Sequence, residues 1–400
     1  MSLNSTPSSE RLHIAFFGVR NAGKSSLVNA VTGQSLSVVS DVKGTTTDPV
    51  RKAMELLPIG PVVIIDTPGI DDEGELGELR VGKTREILSK TDVAVLVRDC
   101  EGAMTASEND LVSLFKEKKI PYITAFNKSD IRGVTAKLNE NEISVSALTG
   151  ENVNQLKELI GKTVKHTEKT RPLVSDLINK NDVIVLVVPI DKSAPKGRLI
   201  LPQQMTIRDI LDSGAVAVTC RDSELITTIN QLKNKPKLVI TDSQVFDYVS
   251  CVLPSDIPLT SFSILFARYK GDLAELVKGA SVLSKLRDND KVLISEGCTH
   301  HRQCNDIGTV KMPGWIEKFS GVKPEFVFTS GGEFPDDLSP YRLVVHCGGC
   351  MLNEKEMKSR IEKCISKGTP IVNYGVAIAH MNGILKRSLE VFPEVAKMLE

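Results

Sequence analysis

The chain has 400 residues, which is too long for one ordinary hydrophobic core, and we predict three domains. Its 50 lysines and arginines balance its 50 aspartates and glutamates, so no net charge draws it to nucleic acid or to an anionic membrane, and we expect neither as a partner. The apolar runs are far shorter than the ~20 residues of a membrane helix and the first residues are polar, so we expect a cytoplasmic protein.

The first part of the chain alternates strand-like runs with helical stretches. Four apolar runs lack the polar alternation of a half-exposed strand, and they lie at residues 14–19, 62–65, 93–97 and 122–126. Such runs are typical of a parallel sheet that helices cover on both faces. A polar stretch at 165–172 ends in proline and predicts a linker, which closes a first domain of residues 1–170.

Two more domains with mostly parallel sheets are predicted after this linker. In residues 171–268 a helix is expected to begin near Pro202, and the strand-like runs are 184–188, 215–219 and 238–241. In residues 269–400 a helical pattern at 273–286 is followed by strand-like runs at 292–294, 326–328, 343–345 and 371–373. The middle domain carries no cluster of groups with an obvious catalytic role.

A phosphate-binding loop follows the first predicted strand and precedes a helical stretch at 26–31. The loop reads Gly18-Val19-Arg20-Asn21-Ala22-Gly23-Lys24-Ser25. In such a loop the main-chain N–H groups surround the phosphates, Lys24 supplies positive charge, and the Ser25 hydroxyl completes the coordination of Mg²⁺. The residues predicted to bind the nucleotide here are Gly18, Asn21, Ala22, Gly23, Lys24, Ser25 and Ser26.

Three later motifs complete a site for GTP or GDP. The motif Asp66-Thr67-Pro68-Gly69 places a carboxylate near Mg²⁺ and a main-chain N–H near the γ-phosphate. The motif Asn127-Lys128-Ser129-Asp130 ends in a carboxylate that accepts two N–H bonds from guanine, which adenine does not offer. Ser146-Ala147-Leu148 closes the base pocket. The predicted fold class is therefore α/β, with an N-terminal P-loop GTPase domain and two further α/β domains.

Together with the loop Gly44-Thr45-Thr46-Thr47-Asp48, these motifs resemble the TrmE-Era-like class of GTPases. Thr46 is predicted to close on Mg²⁺, and the residues predicted to act in hydrolysis are Lys24, Thr46, Asp66 and Gly69. Ile70 stands where many GTPases carry a glutamine that orients water, so turnover is expected to be slow. The resemblance implies that Asn21 binds an activating K⁺, and we predict that hydrolysis depends on potassium.

Cysteines and histidines in the last domain predict a metal site. Cys298-Thr299-His300 follows one predicted strand, and His346-Cys347-Gly348-Gly349-Cys350 follows another. Because the carboxyl ends of parallel strands meet at one edge, Cys298, Cys347 and Cys350 are expected to converge. The residues leave three interpretations open: a redox pair, a structural zinc site with His300 as fourth ligand, and a 4Fe-4S cluster with one open iron. His300 and His346 are candidate further ligands of such a cluster.

The two cysteine–histidine patterns, joined to an N-terminal GTPase, resemble the HydF family of FeFe-hydrogenase maturation GTPases over the whole chain. The flank Asp306-Ile307-Gly308-Thr309-Val310 is also similar to that family. The resemblance implies a dimerisation domain at 171–268, hence a homodimer, and a cluster-binding domain at 269–400. It also implies that the cluster holds a transient di-iron subcluster, which radical-SAM maturases supply and apo-FeFe-hydrogenase receives.

A second hypothesis comes from another functional class. A tRNA-modification or ribosome-assembly GTPase would use a zinc module at the same cysteines to bind RNA. The balanced charge and the single tryptophan, Trp315, weaken this hypothesis, because RNA binding draws on basic surface and stacking rings.

Overall fold

The structure is a computed structural model that describes residues 6–34, 49–69, 75–100, 104–131, 138–165, 172–190, 199–297 and 306–399. It consists of two compact units, residues 1–169 and 170–400. The predicted α/β fold class is confirmed, with an N-terminal P-loop domain followed by sheets whose strands are parallel. None of the described helices is long and apolar enough to cross a bilayer.

The first unit is built on one sheet with the strand order β2-β3-β1-β4-β5-β6. All neighbouring strands are parallel except β2 and β3. In chain order the elements are β1 (Leu12–Phe17), α1 (Lys24–Thr32), β2 (Val50–Leu56), β3 (Gly60–Asp66), α2 (Glu75–Leu88), β4 (Val93–Asp99), α3 (Ala106–Glu117), β5 (Tyr122–Asn127), β6 (Glu142–Ser144) and α4 (Val153–Lys165).

Both faces of this sheet are buried. In β1, Ile14 and Phe16 belong to one hydrophobic cluster while Ala15 and Phe17 belong to another, because successive side chains of a strand point to opposite faces. The sequence did not reveal β2, whose residues are mostly exposed and which pairs antiparallel at the edge of the sheet. Such a strand carries no continuous apolar run and is easily read as a loop.

The second unit contains two four-stranded parallel sheets, with the orders β10-β9-β7-β8 and β12-β11-β13-β14. The elements of the first half are β7 (Val183–Val187), α5 (Leu201–Asp212), β8 (Val216–Cys220), α6 (Leu225–Gln231), β9 (Leu238–Thr241), α7 (Phe246–Val252), β10 (Leu259–Ser261) and α8 (Phe262–Lys270). Those of the second half are α9 (Leu273–Ala280), β11 (Lys291–Glu296), α10 (Met312–Ser320), β12 (Glu325–Ser330), β13 (Leu343–His346), α11 (Glu354–Ser366), β14 (Ile371–Asn373), α12 (Tyr374–Met381), α13 (Leu385–Ser388) and α14 (Pro393–Ala396).

One continuous hydrophobic core runs through both halves of the second unit. At Gly375 in α12 an added Cβ would lie 2.1 Å from the Cβ of Ser263 in α8, so the two helices approach closely only because this residue is glycine. A Cβ added at Gly279 in α9 would likewise lie 1.9 Å from the carbonyl oxygen of Ile371 in β14. The helix predicted at 273–286 is shorter in the structure. It ends as α9 at Ala280, and a separate turn follows at Leu283–Lys285.

Candidate nucleotide and cluster sites

The phosphate loop lies between β1 and α1 and is packed tightly against neighbouring strands. A Cβ on Gly18 would lie 2.2 Å from the carbonyl oxygen of Val97, and a Cβ on Gly23 would lie 2.3 Å from Nδ2 of Asn127. Gly23 also has a φ of +83°, which L side chains rarely adopt. At both positions only glycine fits between the loop and its neighbours. Lys24 is buried at the start of α1, and its ammonium donates to the carbonyl of Val19 at 2.8 Å.

Two polar residues mark a place for a hard cation beside this loop. The Ser25 hydroxyl donates to Oδ2 of Asp66 at 2.6 Å. The other carboxylate oxygen of Asp66, Oδ1, is buried and has no hydrogen-bond partner among the described residues. A buried carboxylate oxygen that lacks a hydrogen-bond donor suits a divalent cation, because Mg²⁺ is coordinated by oxygen ligands. Thr67 fixes the strand end by donating from its hydroxyl to the carbonyl of Phe16 at 2.7 Å.

The base-recognition motif is joined to the phosphate loop through one side chain. Asn127 donates from Nδ2 to the carbonyl of Ala22 at 3.0 Å and accepts the N–H of Ala147 on Oδ1, also at 3.0 Å. It therefore links three predicted binding segments. Lys128 adopts a φ of 67° and pairs with Asp99 at 2.6 Å.

The carboxylate expected to read guanine is held at the surface. The Ser146 hydroxyl donates to Oδ1 of Asp130, whose side chain is otherwise exposed. These hydrogen bonds join the phosphate loop to Asn127 and Ala147, and Ser25 to Asp66. Ser26 lies in the first turn of α1, and Gly69 follows β3. Thr46 and Ile70 lie outside the described residues, so their roles stay predictions.

A pair of glycine substitutions tests how closely the loop must pack. Gly23→Ala is expected to weaken GDP binding and to destabilise the first unit by about 1–3 kcal/mol, because a new methyl group meets Asn127 in a strained backbone. Gly33→Ala is the matched control, because its φ is +64° and no described atom lies within 4 Å of the added Cβ. Thermal unfolding and GDP titration measure both effects. Equal loss of GDP affinity in the two variants would contradict this account.

The cysteine loop leaves the sheet at the carboxyl end of β13, next to the carboxyl end of β11. The two strands are parallel neighbours in which Ser295 pairs with His346. The main-chain N–H of Gly297 donates to the sulfur of Cys347 at 3.0 Å, and the N–H of Gly349 approaches the same sulfur at 3.4 Å. Cys298 follows Gly297 directly in the chain but lies outside the described residues.

Two N–H groups directed at one sulfur suit a negatively charged thiolate, because hydrogen bonds to sulfur stabilise its anionic form. Among the residues that the structure describes, no three histidines, cysteines, aspartates or glutamates form a metal-binding group. Because Cys298 and His300 lie outside the described residues, the predicted ligand set stays a prediction.

Cys350 ends the loop in a half-buried position. Burial raises the pKa of its thiol, and the nearby ammonium of Lys270 acts in the opposite direction. Lys270 is itself buried and donates to the carbonyl oxygen of Leu352 at 2.9 Å. Nothing in the local sequence pointed to this lysine, which is 80 residues from Cys350 in the chain.

His346 lies beneath the loop with both ring nitrogens engaged. Nδ1 is 2.8 Å from the carbonyl oxygen of Cys347, and Nε2 is 3.0 Å from Nη1 of Arg360. The first contact requires Nδ1 to donate and the second requires Nε2 to accept, which assigns a neutral tautomer. Burial, with the positive charge of Arg360, lowers the pKa of His346 to about 3. Ligation of a cluster by His346, which stays a prediction, would therefore require the contact with Arg360 to break.

Arg360 organises the polar groups behind the cysteine loop. It is buried in α11, pairs with Glu356 one turn earlier at 2.9 Å, and donates to the carbonyl oxygen of Gly331 at 2.6 Å. The sequence signal for the ion pair was present, because Glu and Arg four residues apart face each other on a helix. Its contact with His346 joins separate elements and could not be read from that spacing.

Three family models match the chain. A model described as a 50S ribosome-binding GTPase matches residues 13–128. The model of the hydrogen maturase F dimerization domain matches residues 173–271, and that of the hydrogen maturase F tetramerization domain matches residues 274–391. Together they cover most of both compact units.

Curated relatives match about two fifths of the chain. The tRNA modification GTPase MnmE of Legionella pneumophila (strain Corby) is 36% identical over 159 residues, covering 39% of this chain and 35% of that protein. GTPase Der of Wolinella succinogenes is 34% identical over 185 residues, covering 42% of this chain and 39% of that protein. The chain thus spans little more than a third of the length of these relatives. A solved variant of Era from Aquifex aeolicus is 17% identical, covering 81% of this chain and 94% of that chain at a TM-score of 0.33.

Proposed function

Because the chain belongs to the HydF family of hydrogen maturation GTPases, we propose that it is a GTP-hydrolysing carrier of an iron–sulfur cluster. In this proposal a 4Fe-4S cluster with one open site holds a di-iron precursor and delivers it to apo-FeFe-hydrogenase. The observation that carries the proposal is the position of Cys347. Its sulfur accepts a hydrogen bond from the main-chain N–H of Gly297. Gly297 follows the neighbouring parallel strand, β11, and directly precedes Cys298.

The first unit would hydrolyse GTP through positioning and charge. Lys24 would neutralise the β- and γ-phosphates, and Gly69 would donate its main-chain N–H to the γ-phosphate. Ser25 and Thr46 would hold Mg²⁺ directly, with Asp66 acting on it through water. When bound, Mg²⁺ neutralises charge that develops on the phosphate oxygens. Ile70 offers no group that orients water, so hydrolysis is expected to be slow.

Potassium is expected to accelerate this hydrolysis through Asn21. The residue is exposed in the phosphate loop and has a φ of 62°, a conformation that asparagine tolerates better than most residues. A monovalent cation held there would supply positive charge near the transferred phosphate. We therefore expect GTP hydrolysis in KCl to exceed that in NaCl by roughly tenfold or more.

The potassium prediction is tested by rates in matched salts for the wild type and for Asn21→Gly. The variant should lose the difference between K⁺ and Na⁺ while it still binds GDP, because glycine adopts a φ of 62° without strain and leaves the main chain of the loop unchanged. Equal wild-type rates in the two salts would remove potassium from the proposal. They would leave the other steps of hydrolysis intact.

The second unit would hold the cluster through Cys298, Cys347 and Cys350. Three thiolates leave one iron without a protein sulfur, and a carrier needs such an open position to attach and release cargo. The donor set fits this group, because main-chain N–H groups are directed at the sulfur of Cys347 and the ammonium of Lys270 lies near Cys350. In this proposal His300 is at most a weak cap on the open iron, which cargo would displace.

The delivery role and its partners follow from family membership. We propose that radical-SAM maturases supply the di-iron precursor, that apo-FeFe-hydrogenase receives it, and that residues 173–271 form a homodimer. GTP hydrolysis would change the affinity for these partners only as far as the two nucleotide states make different contacts with them. In this proposal hydrolysis would not drive the cluster chemistry directly.

Anaerobic isolation and a transfer assay test the proposed function. The protein should be brown, contain iron and sulfide, and after loading with a synthetic di-iron complex it should activate apo-hydrogenase. Free di-iron complex at the same concentration is the control for transfer without a carrier. A colourless protein with stoichiometric zinc would contradict the proposal and support an RNA-binding GTPase with a zinc module instead.

A further inference from the structure

A buried lysine connects the first half of the second unit to the cysteine loop. Lys270 is the last residue of α8 and only 2% exposed. Its ammonium donates to the carbonyl oxygen of Leu352 at 2.9 Å and lies 3.4 Å from that of Cys350. The same nitrogen is 5.9 Å from the centre of the Phe266 ring. Two of its contacts are therefore made to the end of the loop that contains Cys347 and Cys350.

Burying an ammonium is unfavourable unless nearby groups compensate its charge. The carbonyl oxygens of Cys350 and Leu352 provide part of this compensation. A thiolate at Cys350 would add more, since the ammonium lies 3.4 Å from the carbonyl oxygen of that same residue. The position thus suits an anionic group on the loop.

A second buried cation, Arg360, lies behind the loop in a different electrostatic environment. Arg360 forms an ion pair with Glu356 at 2.9 Å, and both side chains are almost fully buried. An adjacent carboxylate cancels much of the field of a guanidinium at longer range. Arg360 also reaches the loop through the neutral ring of His346. Lys270, in contrast, contacts the main chain of the loop directly, at the carbonyl oxygens of Cys350 and Leu352.

We propose that Lys270 is a positioning residue that holds the Cys350 end of the loop and whose positive charge favours the reduced, more negative state of the bound cluster. This inference rests on the proposed function. A 4Fe-4S cluster gains negative charge on reduction, and a fixed cation in a medium of low dielectric constant stabilises that state. Removal of the charge should therefore make the cluster harder to reduce.

The test uses the full-length protein, reconstituted anaerobically with iron and sulfide. Lys270→Met removes the charge and the donor, Lys270→Gln removes the charge and keeps an N–H donor, and Lys270→Arg keeps both. Lys278→Met is the matched control, because Lys278 lies on α9 with its side chain 56% exposed. Iron per chain and the midpoint potential, followed by paramagnetic resonance during a redox titration, are measured for each variant.

Both uncharged variants should have a midpoint potential more negative than that of the wild type, while Lys270→Arg and Lys278→Met stay close to it. If Lys270→Met does not fold, Lys270→Gln alone decides the question by the same comparison. Loss of iron from a folded Lys270→Gln, with full retention in Lys278→Met, would also support the role in holding the loop. Full iron content with an unchanged potential in Lys270→Gln would overturn the inference. A wild type without any cluster would instead contradict the proposed function.

Discussion

Asp130→Asn is expected to lower the affinity for GTP by roughly 10²–10⁴-fold and to allow xanthosine triphosphate to bind. The carboxylate of Asp130 would accept two N–H bonds from the guanine edge. An asparagine amide has one acceptor and one donor, so its NH₂ group would face an N–H of guanine with no acceptor between them. Xanthine presents a carbonyl oxygen at that position, and this oxygen accepts the amide N–H.

Titration with fluorescent derivatives of both nucleotides measures this change of specificity. The Ser146 hydroxyl, which donates to Asp130, can also donate to the amide oxygen, so the side chain should keep its orientation. Asp110→Asn provides a control on the exposed surface of α3 in the same unit. Unchanged GTP affinity in Asp130→Asn would mean that this carboxylate does not read the base.

Cys347→Ala is expected to prevent stable cluster binding. The sulfur of Cys347 is where main-chain N–H groups from both strand ends converge, and alanine offers those groups no acceptor. Cys298→Ala and Cys350→Ala should have the same effect, because a cluster held by only two thiolates would expose a second iron. Iron and sulfide per chain after anaerobic reconstitution, with the visible spectrum, measure the loss.

Cys251→Ala is the matched control for these variants, because Cys251 is exposed and far along the chain from the loop. It should retain the cluster content of the wild type. A full cluster in any one of the three site variants would exclude that thiolate as an essential ligand. The structure around Cys347 makes its variant the most informative of the three.

The nucleotide site was accessible from sequence because its groups are local to short motifs. The loop from Gly18 to Ser25 follows a buried strand and starts a helix, and the structure has the same arrangement. The motifs did not predict the tertiary contact of Asn127 with Ala22, which lies more than 100 residues earlier in the chain. The pairing of β2 was also missed, because its exposed residues carry no strand pattern.

The cysteine loop shows the same division between local and long-range information. Its position after β13, beside the end of β11, follows from the rule that parallel strands place their carboxyl ends together. Neither the engagement of His346 by Arg360 nor the approach of Lys270 follows from that rule. Both depend on how α8 and α11 pack in the folded unit. Residues that surround a site are therefore harder to predict than those that form its motif.

The most direct measurement is the paramagnetic spectrum of the reduced, reconstituted wild type with and without isotopically labelled cyanide. Three cysteine ligands and one open iron predict a cluster signal that shifts when cyanide is added and that shows hyperfine coupling to the labelled carbon. A cluster signal that cyanide leaves unchanged would mean that a fourth protein ligand closes the site. That result would contradict the carrier role, whatever the GTPase activity of the first unit.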